Sequence, residues 1–178
     1  MHDPGRGTKG RVTSSARRRE VGQSDRGSRV LSHANKGKGA ITNFKRDEDG
    51  RLVVSFPDFP TAPTDGADTH EAVEEAIDCL GSSIALAMAD RIEVPKPSRL
   101  KRGQQPVPVP LWIVGKLALH GAVRDRGISQ SALARRLNVR ETVVRRMLDP
   151  NHDTRPEKIQ AAVEALGMRV VMPLQDAA

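Results

Sequence analysis

The sequence predicts an α+β protein in which a small sheet domain precedes an all-α domain. Between residues 40 and 110, short β-branched and aromatic segments accompany one amphipathic helix, which gives the order β-β-β-α-β. Beyond residue 110, apolar residues recur at spacings of three and four, as is typical of helices. We predict a disordered basic segment over residues 1–38, a sheet domain over residues 39–110 and a helical domain over residues 111–178.

The net charge divides along similar boundaries. The 178 residues carry 29 Lys and Arg against 22 Asp and Glu, a net charge of +7. Residues 1–38 hold ten basic and three acidic residues (+7), residues 39–100 hold six and twelve (−6), and residues 101–178 hold thirteen and seven (+6). Each segment therefore needs its own interpretation, because the average over the chain conceals an acidic segment between two basic ones.

Composition excludes several classes of protein. With 37% hydrophobic and 2% aromatic residues, the whole chain is too polar for one uniformly packed core. No apolar run approaches the ~20 residues of a membrane-spanning helix, which excludes an integral membrane protein. The single cysteine, Cys79, excludes an intrachain disulfide framework and a Cys-rich zinc module.

Residues 1–38 are rich in Gly, Ser and Arg and lack apolar periodicity, so they cannot bury enough surface to offset the entropy of ordering. They also lack the apolar stretch of a secretory signal peptide, and we expect a cytoplasmic protein. The run Arg17-Arg18-Arg19 is either a solvated charge run or a non-specific contact with nucleic acid. The segment is alternatively upstream sequence translated from an early start codon.

The sheet domain begins with a predicted hairpin. Residues 40–44 and 52–56 are rich in β-branched and aromatic side chains, and Asp47-Glu48-Asp49-Gly50 between them is a turn signal. Pro57 ends the second strand. The hairpin supplies the first two strands of the sheet.

A third strand, a helix and a fourth strand complete this domain. Residues 61–64 predict a short strand that Pro63 confines to a sheet edge, and Asp65-Gly66 predicts a turn. Thr69 is a favourable N-cap for a helix of about five turns. Val107 and Val109 alternate with prolines at positions 106, 108 and 110, which suits a second edge strand because proline cannot donate to a ladder. The predicted apolar stripe of the helix is Ala72, Val73, Ala76, Ile77, Leu80, Ile84 and Met88.

Residues 47–76 carry a series of motifs that together point to one family. The motifs are Asp49-Gly50, Val53-Val54-Ser55-Phe56-Pro57-Asp58-Phe59-Pro60, Thr64-Asp65-Gly66, and Glu71-Ala72 with Ala76. They resemble the N-terminal domain of HicB-type antitoxins, although Thr61-Ala62 stand where that family often has Gly-Cys. The resemblance implies a partial double-stranded-RNA-binding fold. It also implies a HicA-type toxin as partner, a small basic ribonuclease whose active site this domain would block.

The net charge of −6 makes residues 39–100 a poor RNA binder but a good match for a basic, RNA-binding protein. We predict that the loop after the second strand contacts the toxin and that the acidic turn gives electrostatic support. The alternative is that Phe56 and Phe59 belong to the sheet core and the acidic residues only increase solubility. The predicted toxin-binding residues are Asp47, Glu48, Asp49, Phe56, Pro57, Asp58 and Phe59.

The basic C-terminal segment begins with a predicted helix over residues 111–126, which Gly127 ends. The residues expected on its buried face are Leu111, Val114, Ala118 and Ala122.

Two short helices joined by a tight turn follow. Ser129 caps a predicted helix over residues 130–137, and Asn138 tolerates the left-handed conformation that a sharp turn requires. A second helix is predicted over residues 139–148. The expected inner residues are Leu133, Leu137, Val139, Val144 and Met147, with Ala134 where the helices cross. This is the packing pattern of a helix-turn-helix, and the alternative is a generic helical hairpin.

The second helix of such a motif enters the major groove of DNA. Thr142 and Arg145 are therefore candidates for contacts with base edges, and Glu141 either accepts from cytosine or caps its own helix. The full set of predicted DNA-binding residues is Gln130, Ser131, Arg135, Arg136, Arg140, Glu141, Thr142, Arg145 and Arg146.

Three other arginines of the motif, Arg135, Arg136 and Arg146, are expected at phosphates, which position a protein without specifying sequence. The alternative for each arginine is a solvated helix surface. Operator half-sites lie one helical turn (~34 Å) apart, so we predict a homodimer or a higher homo-oligomer.

A last helix and a terminal strand are predicted after a loop at residues 149–152. Thr154 is the expected N-cap, with Pro156 in the first turn, and residues 168–174 predict the strand. Residues 140–150 together with this helix again resemble HicB proteins, specifically those with a helix-turn-helix tail. The two resemblances occur in the family's order.

The sequence contains no Ser-His-Asp or Cys-His constellation, and its five histidines show no metal-ligand spacing, so we predict no enzyme, no cofactor and no metal. The predicted function is an antitoxin that binds and neutralises a HicA-type mRNA-cleaving toxin and represses its own operon by binding operator DNA. One alternative is a helix-turn-helix transcriptional regulator whose N-terminal domain senses a ligand or serves oligomerisation. Another is an RNA-processing enzyme.

Overall fold

The computed structural model describes residues 39–170. The predicted disordered segment 1–38 and residues 171–174 of the predicted terminal strand lie outside the described residues. Residues 168–170 are not in a strand, so this part of the prediction is wrong. Gly167 turns the chain with φ = +74° and Met168 packs among the helices instead.

The elements are β1 (Ala40–Arg46), β2 (Leu52–Phe56), β3 (Phe59–Gly66), α1 (Thr69–Ala89), β4 (Gln104–Val107), α2 (Leu111–Asp125), α3 (Gln130–Leu137), α4 (Glu141–Leu148) and α5 (Pro156–Ala165).

The four strands form one antiparallel sheet in the order β3-β2-β1-β4, and the predicted hairpin of β1 and β2 is confirmed. Gly50 in its turn has φ = +82°, and the Asp47 carboxylate accepts a hydrogen bond from the Arg51 N–H at 2.8 Å. β1 extends two residues beyond the prediction, because its pairing with β2 continues to Arg46 opposite Leu52.

β3 is longer than predicted and includes the supposed turn at Asp65-Gly66. Asp65 lies opposite Val53 in the ladder and forms an exposed ion pair with Arg51, so the strand continues until the chain turns into α1. A Cβ on Gly66 would lie 2.3 Å from the Ala72 nitrogen. The glycine is therefore required by the close approach of the first helical turn, and the turn prediction is wrong.

Both edge strands contain proline, as predicted. β3 at one edge includes Pro60 and Pro63, and β4 at the other includes Pro106. Proline has no N–H to offer a further strand, so both edges are protected against pairing. β4 lies earlier than predicted and does not include Val109, because its ladder with β1 runs from Gln104 to Val107.

α1 packs on one face of the sheet. Its N-cap is Asp68, not the predicted Thr69, because the Asp68 carboxylate accepts a hydrogen bond from the Glu71 N–H at 2.9 Å. That hydrogen bond lowers the pKa of Asp68. The predicted stripe is confirmed, with Val73 and Ile77 at its partly exposed margin and Ala72, Ala76, Leu80, Ile84 and Met88 buried.

α2 contributes to two cores. Ile113 is fully buried against the sheet and α1, whereas Leu119 and Ala122 are fully buried among the helices that follow. Leu111, predicted to be buried, is 77% exposed because α2 turns Ile113 toward the sheet instead. Since α2 serves both cores, the domain boundary before Leu111 stays a prediction. None of the helices in the described part of the chain is long and apolar enough to cross a membrane.

α3 and α4 are short helices joined at Asn138. The predicted cap is confirmed, since the Ser129 hydroxyl accepts from the Ala132 N–H at 3.1 Å. Asn138 has the predicted left-handed conformation, with φ = +52°. α4 begins two residues later than predicted, because the Val139 N–H bonds back to the Ala134 carbonyl. Val139 is therefore part of the turn and is exposed rather than buried.

α5 begins at Pro156, and its N-cap position is Arg155 rather than the predicted Thr154. The Thr154 hydroxyl instead donates to the Arg146 carbonyl at 3.3 Å, near the C-terminal end of α4. The segment between α4 and α5 is thus held against the helix that precedes it.

Candidate DNA-binding and partner-binding sites

The residues predicted to bind DNA lie on α3, α4 and the turn between them. On α4, Val144 and Met147 point into the core, which leaves Thr142, Arg145 and Arg146 on the exposed side. Gln130 at the start of α3 is partly exposed. The remaining predicted residues are all exposed: Ser131, Arg135, Arg136, Arg140, Glu141, Thr142, Arg145 and Arg146.

The exposed arginines differ in what they already bind. The Arg136 guanidinium donates to the Ala165 carbonyl at 3.4 Å, at the C-terminal end of α5. Of the five arginines predicted to bind DNA, the other four, Arg135, Arg140, Arg145 and Arg146, have no side-chain hydrogen bond or ion pair within the described residues. These four cations are free to bind phosphate or the acceptor edge of guanine.

The N-terminus of α4 also lies at this surface. Its N-cap residue, Arg140, makes no capping hydrogen bond with its side chain. Uncapped N–H groups and the positive end of the helix dipole both favour anions. The same surface therefore presents arginine side chains and main-chain donors.

A buried cation lies behind α4, and the sequence interpretation missed it. Lys116 on α2 is only 6% exposed, and its Nζ donates to the carbonyls of Asp149, His152 and, at 3.4 Å, Pro150. Burial lowers the pKa of Lys116, opposed by the charges of Asp149 and Asp153. Its signal in the sequence is that it is the only Lys, Arg, Asp or Glu between residues 103 and 123.

The predicted toxin-binding residues fall into two separate groups. Asp47, Glu48 and Asp49 are exposed in the β1–β2 turn, whereas Pro57 and Asp58 form the β2–β3 turn at the opposite end of β2. The five residues of β2 span about 17 Å at the usual rise of a strand. The acidic turn therefore does not lie next to the loop that it was expected to support.

The side chains of the second group are partly occupied. Phe56 is 1% exposed and Phe59 is partly buried against the same core, as the alternative interpretation has it. Phe56 is therefore not available to a partner in this conformation. The Asp58 carboxylate accepts hydrogen bonds from the Ser98 N–H, at 2.9 Å, and from the Ser98 hydroxyl. Pro57 is exposed.

More acidic side chains lie near the first group than the sequence interpretation assigned. β3 ends opposite Leu52, so the N-terminus of α1 follows at the same end of the sheet as the acidic turn. Helical spacing was the available signal, since residues three and four apart share one side of a helix. The exposed acidic residues in the first half of α1 are Glu71, Glu74, Glu75 and Asp78.

Comparison with known proteins decides the family. A family described as HicB_like antitoxin of bacterial toxin-antitoxin system matches residues 40–118. Antitoxin HicB 1 of Photorhabdus laumondii is 32% identical over 128 residues, 72% of this chain and 81% of that protein. Antitoxin HicB 2 of the same organism is 36% identical over 124 residues, which are 70% of this chain and 87% of that protein. Antitoxin HicB of Escherichia coli K12 is 34% identical over 119 residues, which are 67% of this chain and 86% of that protein.

The chain belongs to the HicB antitoxin family. The resemblance predicted from the sequence is confirmed. The family match of residues 40–118 covers the sheet, α1 and the first half of α2. The alignments with the individual HicB antitoxins are longer than this, so their similarity is not confined to that part of the chain.

The one cysteine of the chain, Cys79, lies outside these surfaces. The Cys79 thiol donates to the Ala62 carbonyl at 3.5 Å, and burial raises the pKa of Cys79, which favours the thiol over the nucleophilic thiolate. Within residues 39–170 of this HicB chain, no group of three or more His, Cys, Asp or Glu could hold a metal ion.

Proposed function

We propose that this chain neutralises a HicA-type mRNA-cleaving toxin and represses its own operon by binding operator DNA in the cytoplasm. One observation carries the proposal. A chain of the HicB family joins an acidic sheet region to a basic helical region through a single helix, α2, which packs in both cores. We propose residues 39–110 as the toxin-binding domain and residues 111–178 as the DNA-binding domain.

The toxin is proposed to dock on the sheet domain. A ribonuclease must present basic groups to RNA, and a surface of opposite charge attracts such groups and covers them. The proposed contacts are Asp47, Glu48 and Asp49 at one end of β2 and Pro57 with Phe59 at the other. A typical interface of ~800 Å² per partner is wide enough to include both ends.

Operator binding is proposed for the α3–α4 pair, acting as a helix-turn-helix. Its support is the left-handed Asn138 between two short helices and the exposed arginines of α4. In such motifs the second helix enters the major groove, so Thr142 and Arg145 are proposed to contact bases. A homo-oligomer would present two copies of α4 to two half-sites.

The toxin half of the proposal is tested with the full chain and a HicA-type toxin, a small basic protein to be sought in a reading frame adjacent to its own. Cleavage of mRNA by that protein is expected to stop at a stoichiometric amount of the full chain. The full chain alone is expected to cleave no RNA. Persistent cleavage at excess chain would contradict the antitoxin function, and cleavage by the chain alone would favour an RNA-processing enzyme.

The DNA half is tested by nuclease protection of the region upstream of its own coding sequence. The full chain is expected to protect a defined segment, with two half-sites one helical turn apart. A chain that inhibits the toxin but protects no segment would retain the antitoxin function and lose the repressor function.

A further inference from the structure

The C-terminal end of α4 is held by a buried ammonium group. Lys116 reaches from α2 to the segment that joins α4 to α5, and the carbonyls of Asp149, Pro150 and His152 converge on its Nζ. A protonated lysine has three donors, which equals the number of carbonyls around it. The charge also lies at the end of α4 where the helix dipole is negative.

The helix that carries Lys116 is itself fixed on both sides. Ile113, one turn earlier, is fully buried against the sheet, and Leu119, one turn later, is fully buried among the helices. The backbone of Lys116 therefore has little freedom to move. A residue held in this way can define the position of whatever its side chain binds.

Apart from core packing, α4 has few restraints on its orientation. It is eight residues long, its N-cap makes no side-chain hydrogen bond, and its buried residues are Val144 and Met147, with Val143 and Leu148 partly buried against the same core. Packing holds the helix against the core, whereas the segment after Leu148 is held by the polar contacts of Lys116. The Thr154 hydroxyl, which donates to the Arg146 carbonyl, is a second and weaker attachment at the same end.

We infer that Lys116 is a positioning residue for DNA recognition: by holding residues 149–152, it sets the orientation in which α4 presents Thr142 and Arg145 to base edges. The inference rests on the proposed operator binding. Lys116 is only 6% exposed and its Nζ is bound by main-chain carbonyls, so it has no contact of its own to make with DNA. Its loss is expected to impair sequence discrimination more than non-specific binding, because phosphate contacts tolerate a displaced helix better than base contacts do.

The test compares Lys116→Met with Lys158→Met in the full chain. Methionine keeps an unbranched stem without the donors or the charge. Lys158 is exposed on α5 and is the matched control for the loss of one positive charge. Binding is measured on the upstream DNA segment that the wild-type protein protects and on a random duplex of equal length, at a temperature where all variants are folded.

Lys116→Met is expected to lower affinity for the protected segment at least tenfold and affinity for the random duplex no more than about twofold. Lys158→Met is expected to leave the ratio of the two affinities unchanged. Hydrogen exchange gives a second measurement. The Asp149 N–H, which bonds to the Arg145 carbonyl, is expected to exchange faster in Lys116→Met, whereas the Val139 N–H in the α3–α4 turn is not.

An unchanged affinity ratio in folded Lys116→Met would overturn the inference, because a residue that only stabilises the fold does not alter discrimination. If Lys116→Met does not fold, Thr154→Val decides, since it loosens the same segment by removing the hydroxyl contacts with Arg146 and His152. It is expected to lower the ratio about threefold, and an unchanged ratio would again overturn the inference. A wild-type protein that prefers no DNA sequence would overturn the operator proposal as well, so the two failures are distinguishable.

Discussion

The sheet region and the helical region are stabilised in different ways. In the sheet region, ladder hydrogen bonds define the strands, prolines protect both edges and one 21-residue helix covers a face. The helical region consists of shorter segments, two of them only eight residues long, which are marginal as isolated helices. Besides its own core, its geometry therefore depends on caps, a left-handed turn and one buried lysine. The two regions should respond differently to single substitutions.

The largest difference is expected from substitutions in the two cores. Phe56→Ala removes a side chain that is 1% exposed beneath the sheet, and Leu133→Ala removes one that is fully buried among the helices. We expect each to cost about 3–5 kcal/mol of unfolding free energy. Chemical denaturation with residue-resolved hydrogen exchange would show whether each loss is confined to its own region.

Because α2 packs in both cores, a substitution in one core could also destabilise the other, and this outcome would contradict the prediction. If Phe56→Ala accelerates exchange in α4 as strongly as in β2, the regions unfold as one unit. The sheet region and the helical region would then differ in local geometry but not in stability.

The next largest effect is expected at the DNA surface. Arg145→Ala should reduce discrimination between operator and mutated operator by about 1–3 kcal/mol, the usual value of a bidentate arginine–guanine contact. Arg135→Ala is the matched control: it should weaken binding to all sequences alike and reduce the salt dependence by about one counterion. Equal losses on operator and random DNA for Arg145→Ala would remove Arg145 from the base-contacting residues.

At the acidic surface, neutralising the β1–β2 turn is expected to slow toxin association about tenfold at low salt, with a smaller effect at high salt. The variant combines Asp47→Asn, Glu48→Gln and Asp49→Asn. Asparagine keeps the oxygen that accepts from the Arg51 N–H, so the turn is preserved. Association is measured by stopped-flow or surface-based kinetics with the partner toxin.

The matched control removes three negative charges from the helical region, through Asp153→Asn, Glu157→Gln and Glu164→Gln. An equal decrease in both variants would show that net charge, and not the acidic turn, determines the association rate.

Local chemistry made much of the fold predictable. The β1–β2 hairpin, the Ser129 cap and the left-handed Asn138 each depend on a few consecutive residues, and the structure confirms all three. The N-caps of α1 and α5 were each misplaced by one residue, whereas two other misses depend on distant residues. Lys116 binds carbonyls more than 30 positions away, and Gly66 is explained only by the approach of α1.

The candidate sites follow the same division. Exposure of the α4 arginines was predictable from helical spacing, because the apolar stripe determines the opposite side. The separation of the acidic turn from the Pro57-Asp58 turn follows from strand direction, which places successive turns at opposite ends of β2. Burial of Phe56 depends on which face of the sheet α1 covers, and the alternation of side chains along a strand does not determine that face.

A smaller effect is expected at the helix caps. Ser129→Ala removes the acceptor for the Ala132 N–H and should lower the unfolding free energy by about 1 kcal/mol. Ser129→Asp should restore most of the loss, because aspartate is an equally good N-cap. Thermal unfolding would measure both. A neutral Ser129→Ala would show that α3 is held by packing alone.

The smallest effect is a difference in pH dependence between two helix caps, Asp68 in the sheet region and Ser129 in the helical region. The Asp68 pKa is lowered in the folded protein, first by the hydrogen bond from the Glu71 N–H, so the folded state favours the carboxylate. The stabilisation is therefore complete above the unfolded pKa and is lost as pH falls through the folded pKa, that is, below about pH 4. Asp68→Asn keeps a capping oxygen but cannot titrate, so its unfolding free energy relative to wild type should rise as pH falls from 5 to 2. The Ser129→Ala difference should stay constant over the same range, because a hydroxyl does not titrate there. A constant Asp68→Asn difference would show that the α1 cap acts through hydrogen-bond geometry and not through charge.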